Sequence, residues 1–209
     1  MSFFVNFPLF CIVGGLLCSV LSSMLPARGA RLLSLSLTAA VCAACLLLLY
    51  YVNQTGTAVT YLMGHYPHPW GNELRFGRLE PLYGAAFSAV MFLCILGGKK
   101  QLAHDLRPSK QNLYYVLCDL VLTALLALAF TNDVFTGYVF IEICTLASCG
   151  LLMIRQLGRT TLASVRYMIF SLLGSGLFLL GIVMLYEITG HLLMPNLRET
   201  IAQLRQSGS

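Results

Sequence analysis

One carboxylate stands inside a long apolar run: Glu142, within TNDVFTGYVFIEICTLASCGLL. The stretch 134–153 carries no other charge, and about twenty apolar residues suffice for an α-helix to cross a ~30 Å hydrocarbon core. With a helix start near Asp133, Glu142 lies about 13 Å into the segment at ~1.5 Å per residue, close to the midplane. An acid there costs about 2.5–3.5 kcal/mol on insertion scales. Such a residue is functional by default, facing a partner or a water-filled path, and the chemistry open to it is proton exchange. The alternative is a protonated carboxyl that only hydrogen-bonds a neighbouring helix. Tyr138, Glu142, Thr145 and Cys149 fall at i−4, i, i+3 and i+7, one polar stripe on a helix. Such a stripe can hold water and pass protons, or it can serve as glue between helices.

A second acid, Asp119, lies inside the preceding apolar run. Other residue types that could do chemistry are less well placed. All eight cysteines fall in apolar runs, where small thiols pack well. Cys42 and Cys45 have C-x-x-C spacing but lack a second ligand pair or an electropositive setting, so no metal or cluster is expected. His65 and His68, three apart in HYPHPWGNELRFGRLE, are broken by Pro67 and Pro69 and read as surface histidines. No cofactor and no catalytic chemistry of the chain's own is expected.

The elements that must position these acids are membrane helices. The chain is 58% hydrophobic and 10% charged over 209 residues, with strongly positive mean hydropathy, which describes a polytopic membrane protein. Its runs are continuous instead of alternating, which excludes a lipid-facing barrel. The expected fold is all-α: a single membrane domain over 1–209 with six transmembrane helices at about 8–25, 32–52, 81–97, 112–130, 134–153 and 167–186. Residues 53–80 read as an interfacial loop, with Trp70 and Tyr66 suited to the headgroup level. Residues 187–209 form a polar C-terminal tail. MSFFVNF lacks the positive start of a cleavable signal, so the first run is expected to be retained. Ser171, Gly174, Ser175, Phe178 and Gly181 make a small-residue seam on the sixth span, read as a packing surface.

Basic residues set the orientation. Arg28 and Arg31, then Lys99, Lys100, Arg107 and Lys110, then Arg155, Arg159 and Arg166 occupy the first, third and fifth connections. Only Arg75, Arg78, Arg198 and Arg205 fall on the other side. The positive-inside rule therefore places both termini outside, in a multi-pass protein of the cell inner (cytoplasmic) membrane. Topology accounts for these charges, and no basic, aromatic-laced patch suggests nucleic acid. On this arrangement Asp119 and Glu142 sit at similar depth, about 16 and 13 Å from the outer face.

The run TNDVFTGYVFIEICTLASCGLL, followed by TLASVRYMIFSLLGSGLFLLGIVMLYEITG and preceded by HYPHPWGNELRFGRLEPL, resembles the antiporter-like subunits of respiratory complex I, membrane-bound hydrogenases and Mrp sodium/proton antiporters, nearest to the D-type subunit of the Mrp systems. The resemblance covers nearly the whole chain. It implies that Glu142 occupies the family's fifth-helix glutamate, which takes part in proton transfer. Arg166 stands where the family has a lysine opening the sixth helix, so the charge is kept and the titration lost. Asp133 matches the acid of the turn before the fifth helix, with a gating or structural role. Asp119 matches no family position.

Members of that family continue beyond a sixth span, and pair the glutamate with a lysine on a broken seventh helix. The present resemblance is to the N-terminal six-helix portion, and none of the three lysines lies in an apolar run. The sequence therefore points to a membrane subunit of a multisubunit proton- or cation-translocating complex. It contributes part of a proton half-channel through Glu142, with Asp119, Arg166, Thr145 and Tyr138 as further candidates. The partners implied are the lipid bilayer and other membrane subunits, one of them supplying the missing lysine. The competing reading is a non-conducting scaffold or assembly subunit that keeps the fold.

Overall fold

The computed structural model describes residues 2–63 and 72–207. His65, His68 and Trp70 lie outside the described residues. Six long helices carry the apolar runs: α1 (Ser2–Met24), α2 (Ala27–Thr55), α3 (Leu79–Gly97), α5 (Pro108–Phe130), α6 (Val134–Met153) and α7 (Gly158–Thr189). The last five are long and apolar enough to cross a membrane, and α1 adds a shorter apolar stretch over Leu9–Met24. The first four spans of the sequence are thus α1, α2, α3 and α5, and Glu142 rides on α6.

Sequence explains where the helices stop. Pro26 precedes α2, whose far end is closed by Gly56 at φ 66, the left-handed conformation that glycine adopts without steric cost. Gly190, at φ 70, ends α7 in the same way. Pro108 opens α5, where its missing N–H would have had no helical partner. Asp133 caps α6, its carboxylate accepting from the Thr136 amide at 2.7 Å.

The connections hold more structure than expected. The basic loop after Gly97 contains a short helix, α4 (Lys99–Asp105), and α5 begins at Pro108; Lys, Gln, Leu and Ala are all good helix formers. α7 starts at Gly158, so Arg159 and Arg166 lie on the helix and not in the turn before it. No proline interrupts that stretch. The C-terminal segment forms α8 (Met194–Ser207). The loop between α2 and α3 carries an antiparallel hairpin, β1 (Val59–Leu62) and β2 (Glu73–Phe76), in register Val59 with Phe76 and Tyr61 with Leu74.

Helix α5 is the hub, packed by α1, α2, α3 and α6, whereas α7 packs on α6 at the edge. Close approach at the hub depends on glycines. A side chain at Gly15 would collide with Thr123, and one at Gly84 with Cys45 Sγ and the Phe130 ring. The hairpin closes one end of the bundle: alternation buries Leu74 and Phe76 on one face, and the Phe76 ring meets Phe130 edge-on at 5.1 Å. The opposite end carries the basic turns.

Candidate proton-pathway site

Glu142 lies in the middle of α6, half-buried. Its Oε1 is buried and has no hydrogen-bond partner, and among the described residues the carboxylate makes no ion pair. Thr145, one turn on, turns its hydroxyl to the backbone and donates to the Glu142 carbonyl at 2.9 Å, so that donor is directed away from the carboxylate. Tyr138, one turn before, stacks its ring obliquely on Phe178 of α7 at 6.4 Å. Tyr138 therefore meets α7, and Thr145 and Glu142 follow it on the same side of α6 by helical spacing.

Between α6 and α7 a cavity of about 350 Å³ is lined by Ile141, the residue before Glu142, and by Ser171, Gly174, Ser175 and Phe178; Glu142 itself does not line it. Much of the small-residue seam expected on the sixth span lines this groove. Side chains added at Gly174 or Gly181 would meet nothing within 4 Å, so the described residues leave the seam open at these positions. Ser175 spends its hydroxyl on the Leu172 carbonyl.

Arg166 is exposed on α7 and forms no ion pair among the described residues. The Tyr138–Phe178 contact sets the register of this antiparallel pair. In that register Glu142 is level with residue 174 and Arg166 lies eight residues lower, about 12 Å along the axis. The fixed positive charge and the carboxylate share a hairpin without touching.

Asp119 has a different setting. It is fully buried on α5, and its Oδ2 accepts from Ser34 of α2 at 2.7 Å and from Ser22 of α1 at 3.2 Å. Oδ1 is buried and without a partner. Ser19 donates to the Val116 carbonyl and Thr123 to the carbonyl of Asp119 itself, which completes a polar patch between α1 and α5. The bonds of Asp119 point toward α1 and α2, and none joins it to Glu142. Chemically, the bare oxygen can carry a proton, while the other ties three helices together. In the first apolar run Ser22 reads as one more small packing residue, and nothing local in the second singles out Ser34. The signal was available: Ala30, Ser34, Thr38, Val41, Cys45, Leu48 and Val52 form the buried stripe of α2, with two hydroxyls at its basic end.

Asp133 is buried in the turn between α5 and α6. That turn is held on both sides. The Asn132 amide donates to the Glu73 carbonyl and its side chain to Glu73 Oε1, each at 2.9 Å. On the other side the Val134 amide donates to the Leu192 carbonyl, and the Met194 amide to the Asn132 carbonyl, each at 3.0 Å. The turn thus runs as a short strand between β2 and the segment before α8, an arrangement that joins residues about sixty apart and is invisible to local pattern. Cys42 and Cys45 both pack toward α3, the first with its thiol toward the Ala85 carbonyl at 3.8 Å.

Comparison with known proteins bears on this geometry. Residues 131–209, which include Asp133, Glu142 and Arg166 but not Asp119, match the family model described as NADH:quinone oxidoreductase/Mrp antiporter, TM. The chain is 33% identical over 149 residues to the N-type subunit of the NADH-quinone oxidoreductase of Desulforudis audaxviator, covering 70% of this chain and 29% of that protein. It is 30% identical over 99 residues to the D-type subunit of the Na(+)/H(+) antiporter of Bacillus subtilis, covering 47% of this chain and 20% of that one. The chain thus spans less than a third of the length of these relatives. A chain of the membrane-bound sulfane sulfur reductase, an archaeal respiratory membrane complex, shares the fold with a TM-score of 0.79 over 94% of this chain and 39% of its own, at 23% identity. Over residues 131–209, which hold the mid-helix acid of α6, the chain is thus similar to the antiporter-like membrane subunits of complex I and the Mrp antiporters.

Proposed function

We propose that the chain is a membrane subunit of a multisubunit proton- or cation-translocating complex of the cell inner membrane, with both termini outside, and that Glu142 exchanges protons within it. The observation that carries this reading is the buried Oε1 of Glu142 at mid-helix depth, without a hydrogen-bond partner among the described residues. A lone carboxylate in that position takes a proton or a cationic partner, because burial disfavours its charged form. No Lys or Arg among the described residues pairs with it. The partner charge therefore comes from another membrane subunit that seats against the α6–α7 groove and presents a lysine to Glu142.

In this reading Tyr138 and Thr145 border the path, Arg166 is a fixed charge toward its basic end, and Asp133 holds the start of α6. Asp119 is a second titratable site with its own environment. Coupling to Na⁺ exchange, or to electron transfer elsewhere in the complex, lies with the partner subunits.

Glu142→Gln keeps the shape and removes the charge. In the assembled complex, reconstituted in liposomes, it is expected to abolish most ion transport while subunit content stays normal. Full transport with glutamine at 142 would leave only the scaffold role. The chain reconstituted alone under a pH gradient is expected not to conduct, and Glu142-dependent flux from it would show that no partner lysine is needed.

A further inference from the structure

At the basic end of the bundle, a cavity of about 350 Å³ opens between the start of α2, α4 and the first turns of α5. Three cations, Arg28, Arg31 and Lys99, line it, and no Asp or Glu does. Among the described residues none of the three forms an ion pair. The contrast is with Arg155 on the same edge, which pairs with Asp105 at 3.3 Å. Arg31 is half-buried: one terminal nitrogen donates to the Leu96 carbonyl at 3.2 Å, while its buried Nε has no partner.

Three uncompensated cations around one cavity repel each other unless an anion lies between them. The start of α2 adds the positive end of a 29-residue helix, since Ala27 and Arg28 also line the cavity. The floor and rim are apolar or weakly polar: Leu32, Leu102 and Tyr115. Leu32 is 68% exposed, and Leu93 and Leu96 are exposed on neighbouring α3. These leucines run from the cationic cavity toward the apolar belt of the helices.

We propose that this cavity binds the headgroup phosphate of an anionic phospholipid, with Arg28, Arg31 and Lys99 around the phosphate and the acyl chains along Leu32 and α3. A guanidinium offers paired donors to phosphate oxygens, and an ammonium a point charge. A soluble anion would satisfy the cations but would make no use of the exposed leucines. Basic pockets between membrane helices are suited to such headgroups, with each cation contributing about fivefold in affinity.

The test uses the full chain, purified with the membrane subunits that accompany it, and native mass spectrometry of bound lipid. The probes are dioleoyl phosphatidylglycerol, dioleoyl phosphatidylcholine and inorganic phosphate. Phosphatidylglycerol is expected to be retained over phosphatidylcholine, and retention to fall about fivefold for each cation removed in Arg28→Gln and Lys99→Gln. Both side chains are exposed and unpaired, so neither change disturbs folding. Lys100→Gln with Arg107→Gln, on the same edge but outside the cavity, is expected to leave retention unchanged. The proposal is overturned if the two lipids are retained equally, if the cavity variants retain phosphatidylglycerol as the parent does, or if the control pair loses it to the same degree. Displacement of phosphatidylglycerol by an equal concentration of inorganic phosphate would also overturn it, by making the cavity a site for a soluble anion.

Discussion

Ser34 of α2 donates to Asp119 of α5 at 2.7 Å in a place where neither residue sees solvent. A hydrogen bond to a charged or partly charged acceptor contributes about 1.5–3 kcal/mol, and leaving the acceptor bare when buried costs a similar amount. Ser34→Ala should therefore lower stability by about that much, read as the midpoint of thermal unfolding in detergent. The same substitution in an Asp119→Asn background should cost less, because the acceptor is no longer an acid. Equal losses in both backgrounds would show that Ser34 acts by packing alone.

Asp133 closes the first turn of α6 with a 2.7 Å bond to the Thr136 amide. Asp133→Ala removes the cap at a cost of about 1 kcal/mol, whereas Asp133→Ser keeps an acceptor and should retain most of the stability. If both variants instead lose transport with unchanged stability, the carboxylate has a gating role that a cap does not explain.

Asp105, at the end of α4, gives the pH dependence. His104 Nδ1 at 3.2 Å and Gln101 at 3.0 Å hydrogen-bond its carboxylate, and Arg155 from the α6–α7 turn adds its charge. These partners, His104 first, hold its carboxyl below its ordinary value of 3.8. A folded value below the unfolded one means that the contribution is present above pH 3.8 and lost as pH falls through the folded value. Asp105→Asn should accordingly be less stable than the parent at pH 7, by a small margin because the site is open to solvent, and the two should converge in strong acid. A gap that persists below the carboxylate range would point to packing.

Orientation is open to direct chemistry. Asn72 and His104 are both exposed, at the hairpin end and the basic end respectively. In a cysteine-free background, a cysteine at 72 should react with an impermeant thiol reagent from outside and one at 104 should not. The opposite pattern would invert the chain in the membrane.

Much of this architecture was written in residue order. Apolar runs and Asp133 mark the helices because solvent transfer and capping act locally, whereas Pro108, Gly56 and Gly190 carry the helices past the expected spans. Glu142 stood out because a charge in a twenty-residue apolar run is costly whatever surrounds it. The bonds of Asp119 were not legible, because Ser22 and Ser34 reach it only once α1, α2 and α5 have packed, and a serine in an apolar helix reads equally well as a small contact residue. Helix α7 begins at Gly158, ahead of the expected span at about 167–186, because a helix can continue past the membrane edge into water. The offset of Arg166 from Glu142 followed from neither charge nor hydropathy, but from the packing of α7 on α6, marked by the ring contact of Tyr138 with Phe178.

The turn from Thr131 to Asp133 donates hydrogen bonds to a hairpin strand behind it in the chain and is bonded to the backbone at Leu192–Met194 ahead of it. During synthesis, α6 enters the membrane before that second flank exists. Until α7 has crossed and Leu192 has emerged on the same side, the Val134 amide and Asn132 carbonyl have only water or lipid headgroups to bond. The entry angle of the helix that carries Glu142 is therefore set last, by residues about sixty positions downstream of the turn, and a chain arrested inside α7 would display Glu142 on a helix whose first turn is still free to tilt.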